Sequence, residues 1–137
     1  MATMSASDCF KLGRSLLDAH DEIHNYFMNN WNNLAPAYRD HLQSLAVSLY
    51  QDASDVITHG VGVVIDDMKA SVVGLVSVTG KVEQALAKIS QAKSVIDIAT
   101  ALIAFSAAIP TGNIDTIIQA GNNLIRTAGI EGDLLNG

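Results

Sequence analysis

The one run of side chains in this 137-residue sequence that could gather around a single ligating or reacting centre is His20-Asp21-Glu22-Ile23-His24. Histidines four residues apart share one face of a helix and can reach a common divalent ion, which is why zinc proteases use that spacing. Those proteases place glutamate directly after the first histidine. Here Asp21 holds that position and Glu22 points to another face, so the protease motif is absent. The Glu-x-x-His pair of di-iron bundles is missing too, with Asp21-x-x-His24 a single degenerate copy. A third ligand would have to come from His41 or His59. Against metal binding by His20 and His24 stands the plainer reading of a solvated polar helix face, which outweighs it, and no cofactor is expected.

Other chemistry has less support. There is no Gly-x-Ser-x-Gly elbow, and the single cysteine, Cys9, sits in no nucleophile signature, so it reads as a small packing residue and excludes an internal disulfide. Gly60-Val61-Gly62 lacks the third glycine of a dinucleotide loop, and no Gly-Lys-Ser or Gly-Lys-Thr occurs. Asp66-Asp67 has no spaced oxygen ligands and makes no calcium loop. No catalytic residue and no enzyme activity are expected. Trp31, flanked by asparagines, reads first as a residue closing the end of a bundle and second as a partner anchor.

The elements that carry these residues are helical. Ser7 and Asp8 suit a helix N-cap, and Phe10, Gly13, Leu17, His20, Ile23 or His24, Phe27, Trp31 and Leu34 recur at three- and four-residue steps, predicting a helix over about 8–33. Pro36 starts the next, whose stripe of Leu42, Leu45, Leu49, Ala53, Val56 and Gly60 lies opposite Arg39, Asp40, Gln43, Gln51, Asp52 and Asp55. From 60 to 80 the pattern is ambiguous. A helix would put Val61, Val64, Met68, Val72 and Leu75 on one face. A β-hairpin would use Val61–Ile65 and Ser71–Val78, given the β-branched residues and glycines. Helix is favoured because the flanks are helical and a lone hairpin is marginal in water. After Gly80 one long helix is predicted up to Pro110, its second half carrying Leu102, Ile103 and Phe105. A last helix runs from Asn113 to about Ala128 and stops at Gly129. The expectation is an all-α, four- or five-helix antiparallel bundle in a single domain over 1–137, with 1–7 and 130–137 flexible.

Charge and composition then restrict function. Fourteen acidic residues against eight basic ones give a net charge of −6, and Lys11, Arg14, Arg39, Lys69, Lys81, Lys88, Lys93 and Arg126 are scattered, so nucleic acid is not an expected partner. Only 16% of residues are charged against a usual quarter, which implies a surface neutral enough to associate with something. No secretory signal opens the sequence, and cytoplasmic residence is expected, with signal-independent export left open. Ile98–Ile114 is uncharged but broken at Pro110-Thr111-Gly112, so a constitutive membrane span is not expected. The uncharged stretches Ala70–Gly80 and Ile98–Ile114 are rich in small residues that permit close helix approach. Their expected destination is a core, a neighbouring subunit or a membrane, with Val61, Val64, Met68, Val72, Leu75, Leu102, Ile103 and Phe105 as the interaction or membrane-facing residues. The function expected is association with itself or another helical protein. A membrane-active protein, such as one component of an α-helical pore-forming toxin, is the first alternative, and a metal-binding bundle is the second.

Overall fold

Helix α1 (Ala6–Asn29) starts about two residues earlier than its periodicity suggests, because Ser5 is the cap. The Ser5 hydroxyl accepts from the Asp8 backbone N–H while the Asp8 carboxylate accepts from the Ser5 N–H, so two otherwise orphan donors are satisfied reciprocally. Those bonds, backbone first, hold Asp8 below the usual carboxylate range. Stability from this box is present above that range and is lost as pH falls through it. Asn29 ends α1, and Trp31–Asn33 form a single 3-10 turn. Pro36 then opens α2 (Pro36–His59), with no backbone N–H to waste at the first turn.

The computed structural model describes residues 2–60, 64, 65 and 72–130. Two short strands, β1 (Ala2–Thr3) and β2 (Val64–Ile65), pair antiparallel, with Ala2 opposite Ile65 and Thr3 opposite Val64. Residues 72–78, the second strand of the hairpin alternative, are helical instead and belong to α3 (Val72–Lys88). Val78 is buried and Val72 and Val76 pack against the core, a tertiary gain that overrides their β preference, while Val73 is exposed. Among the described amino-terminal residues, Met4 is buried and Ser5 caps α1. Val61 and Met68, and the carboxyl-terminal tail from 131, lie outside the described residues.

The long helix predicted after Gly80 is two helices. Between α3 and α4 (Ala92–Ala108) the chain turns at Ile89-Ser90-Gln91, where Gln91 is extended. No proline or glycine marks this break. What holds it is distant in sequence, the Tyr26 hydroxyl donating to the Ser90 carbonyl at 3.2 Å. After α4 a 3-10 turn through Pro110 leads to Gly112 at φ 72°, a left-handed conformation that glycine adopts without steric cost. The Asn113 side chain caps α5 (Ile114–Ala128) by accepting from the Thr116 N–H. At its far end Gly129 turns left-handed, with Ile130 N–H bonded to Ile125 O and Gly129 N–H to Arg126 O, the paired bonds of a Schellman cap.

These five helices close into a ring: α3 packs on α1, α1 on α2, α2 on α4, α4 on α5, and α5 returns to α3. The all-α bundle is thus as the periodicity implies. Its neighbour directions refine the antiparallel expectation. Helices α1 and α2 are antiparallel, since Gly13 meets Ile57 and Ala53 whereas Trp31 meets Arg39. Helices α1 and α3 are parallel, because Ser15 bonds to Thr79 and Tyr26, further along α1, to Ser90, further along the chain. Leu75, Leu102 and Phe105, expected as contact residues for a partner or a membrane, are fully buried in the core of the chain itself. For Leu102 and Phe105 the reason is α4's position between α2 and α5, and for Leu75 the packing of α3 on α1 and α5. Ile103 and Val72 are partly buried against the same core.

Among the described residues, Thr79 and Ser106 are the buried polar ones. The Thr79 hydroxyl has a single proton, and the nearest carbonyl is that of Val76 at 2.8 Å. With that proton donated to the α3 backbone, the Thr79 oxygen accepts from Ser15, a polar contact that pins α3 to α1.

Candidate functional site

Along the α1/α2 seam the helices are locked at one end. A Cβ added at Gly13 would stand 2.3 Å from Ile57 Cγ1, so only glycine permits this approach. Toward the other end of the seam the facing side chains are larger, and a cleft of about 480 Å³ opens between His20, His24 and Phe27 of α1 and Gln43, Ala46, Val47, Tyr50 and Gln51 of α2. Helix periodicity explains the lining. His20, His24 and Phe27 follow at four- and three-residue steps on α1, as do Gln43, Val47 and Tyr50 on α2, so each set forms one ridge.

The cleft is apolar and aromatic at its base and open to solvent. Phe27 is buried, whereas Val47 and Tyr50 are 55% and 54% exposed. The ring of Tyr50 meets His20 edge-on at 5.7 Å, and the His20 and His24 rings lie nearly parallel, 6.2 Å apart. Next along α1, Phe27 packs edge-on against Trp31 at 5.0 Å, and the Arg39 guanidinium sits 4.8 Å from the Trp31 ring centroid. Arg39 also donates from Nε to the Trp31 carbonyl at 2.8 Å. Trp31 therefore closes the end of the α1/α2 hairpin while keeping 44% of its surface in solvent.

Metal chemistry has a narrower basis here than a full site. Among the described residues no three His, Cys, Asp or Glu side chains come together to hold an ion. The register of α1 against α2 gives the reason. With His20 facing Tyr50 and Gly13 facing Ile57, His59 falls opposite Lys11, about nine residues or roughly 14 Å along the helix from His20. His41 falls beyond His24 by about five residues, so neither supplies the third ligand that would complete a site. Cys9 is buried beside Gly60, and burial pushes its thiol up from the ordinary range.

A second polar seam lies between α1 and α3. Burial, and then the charges of Asp18, Glu22 and Asp21 on α1, raise the pKa of Glu83 on α3. An acid whose pKa is raised by folding favours the native state when protonated, so its ionised form costs stability as pH rises above the ordinary glutamate range. Replacement of Glu83 by glutamine is expected to stabilise the fold at pH 7 and to lose that advantage near pH 4. Urea denaturation of both proteins at the two pH values measures it.

Sequence periodicity located His20, His24 and Trp31 but not Val47 and Tyr50. The available signal was two large apolar residues interrupting the polar face of α2 that carries Gln43 and Gln51. Of the other expected contact residues, Leu75, Leu102 and Phe105 are remote from this cleft's lining and internal to the core. The side chain of Val64 lies outside the described structure. The segment Ala92–Thr111 is long and apolar enough to cross a membrane, and 56% of its apolar window is buried inside the bundle. No protein-family model, curated protein or solved structure matches the chain.

Proposed function

We propose that this chain is a non-enzymatic association module, and that the groove between α1 and α2 docks a helix of a second copy. The observation that carries this reading is the solvent-facing pair Val47 and Tyr50 above the apolar floor of the groove. A groove between two helices accepts the ridge of a third by the same packing that joins helices within a bundle. Tyrosine and tryptophan at its edges supply large contact area at small cost in side-chain freedom. The low charge of the whole chain leaves fewer hydrated groups to strip from such a surface.

Sedimentation velocity across micromolar concentrations tests the proposal. Self-association is expected, and Val47→Glu or Tyr50→Glu is expected to weaken it at least about thirtyfold, the loss of one hot-spot residue of roughly 2 kcal/mol. Val73→Glu serves as the control, because Val73 is 79% exposed on α3, outside the groove lining. A chain that stays monomeric throughout the range overturns self-association.

A membrane-active reading has one observation in its favour, the length and apolarity of Ala92–Thr111. It requires α4 to leave its place between α2 and α5, since Ile98, Leu102 and Phe105 are buried there. Leakage of anionic and zwitterionic liposomes over a range of pH tests it. An intact dye signal throughout removes this reading.

A further inference from the structure

His20 and His24 are one turn apart on the wall of the α1/α2 groove, and their surroundings differ in a way that bears on ligation. His20 Nδ1 lies 3.2 Å from Asp21 Oδ1. An ionised carboxylate can only accept, so the hydrogen of this bond is on Nδ1, and in the neutral ring the lone pair is on Nε2. Metal-ligating histidines are typically oriented this way, one ring nitrogen donating to a carboxylate while the other faces the ion. His24 is exposed, its ring lying beside those of His20 and Phe27 at 6.2 and 6.4 Å. With about 5–6 Å between Cβ atoms at this spacing, rotation about the side-chain torsions alone can bring one nitrogen of each ring to about 2.0–2.1 Å from a shared ion.

We infer that His20 and His24 form a two-imidazole anchor for a divalent transition-metal ion, zinc or copper, with Asp21 as the residue that positions His20. Imidazole donors select these ions over calcium and magnesium, which take oxygen ligands. The pair fills two of the four positions of a tetrahedral ion. No third side chain of this kind joins them among the described residues, so the remaining positions fall to water or to groups brought across the groove. Pairing of two copies about a two-fold axis through this groove would bring four imidazoles to one ion. That last consequence rests on the proposed self-association, whereas the anchor itself does not.

Calorimetric titration of the untagged chain with zinc chloride and with copper chloride tests the inference. Saturable binding is expected, weakened more than tenfold by His20→Ala and by His24→Ala separately and abolished in the double variant. Asp21→Asn is expected to weaken it about tenfold, the usual cost of losing such an orienting carboxylate. His41→Ala and His59→Ala are expected to leave it unchanged. His24 is exposed, so its replacement leaves the core untouched. Failure of the wild-type chain to bind either ion overturns the inference, as does binding that survives the double variant. Sedimentation in EDTA separates this outcome from the fate of the association proposal. A chain that pairs in EDTA but takes up neither zinc nor copper sinks the anchor and keeps the association. A chain monomeric in EDTA that still takes up the ion through these histidines keeps the anchor and sinks metal-independent pairing.

Discussion

Phe105→Ala is expected to lower the unfolding free energy by about 3–5 kcal/mol, the largest single-residue effect in this protein. Phe105 is fully buried and belongs to the one core, together with Ile98, Ala99, Ala101 and Leu102 of the same helix. Helix α4 packs against α2 on one side and α5 on the other, so neither neighbour can collapse into the vacated space without losing its other contacts. The removed ring therefore leaves a cavity whose lining atoms lose their dispersion partners, in addition to the lost transfer of the ring from water. Urea denaturation followed by far-ultraviolet circular dichroism reads the change. Ala104, on the exposed side of the same helix, supplies the comparison, and Ala104→Ser is expected to stay within about 0.5 kcal/mol of the parent. If the two substitutions cost the same, α4 is not the central helix of the folded chain.

The second large effect is at Gly13, where local and tertiary preferences oppose each other. In an isolated helix alanine is favoured over glycine by roughly 0.8–1.0 kcal/mol. In this fold the added Cβ would stand 2.3 Å from Ile57 Cγ1, 2.8 Å from Ile57 Cδ1 and 3.2 Å from the Ala53 carbonyl oxygen. Gly13→Ala is therefore expected to destabilise by about 1–3 kcal/mol despite the better helix former, because α1 and α2 must part or Ile57 must leave its position. Ile57→Ala removes both crowding atoms. The double variant is expected to be more stable than the two single losses added together, the signature of residues in direct contact. A net gain in the Gly13→Ala protein would mean that the two helices do not approach at this level. Since Gly13 lies on the same α1/α2 seam as His20 and Tyr50, Gly13→Ala is also expected to alter association through the groove.

Where a structural feature is local, the amino-acid order was sufficient to place it. Pro36 opens α2 through its fixed backbone angle, and Asn113 and Gly129 bound α5 through cap bonds to backbone groups three to five positions away. The all-α class follows from the same kind of argument, repeated over successive apolar stripes. The first cap shows the limit of even local reading: Ser5, Ser7 and Asp8 all suit an N-cap, and Ser5 takes the place because Asp8 can then return the bond.

Long-range features were not legible in this way. The break at Ile89-Ser90-Gln91 lacks any helix-breaking residue, and the Tyr26 hydroxyl that satisfies the Ser90 carbonyl is 64 positions away. Nothing near Ala2 announces that it pairs with Ile65. Above all, composition measured how much apolar surface the chain carries without saying where it goes. Leu102, Phe105, Val47 and Tyr50 are all large apolar or amphipathic residues on helices, and the first two are enclosed while the last two meet solvent. A side chain's type sets the free energy of removing it from water, but its burial depends on whether another helix occupies the space beside it. Thus the sequence alone determined a helical chain, poor in charge, with a histidine pair on one face. Only the packing of α4 between α2 and α5, and of α1 against α2 at Gly13, decided which apolar residues became core and which were left along an open groove beside that pair.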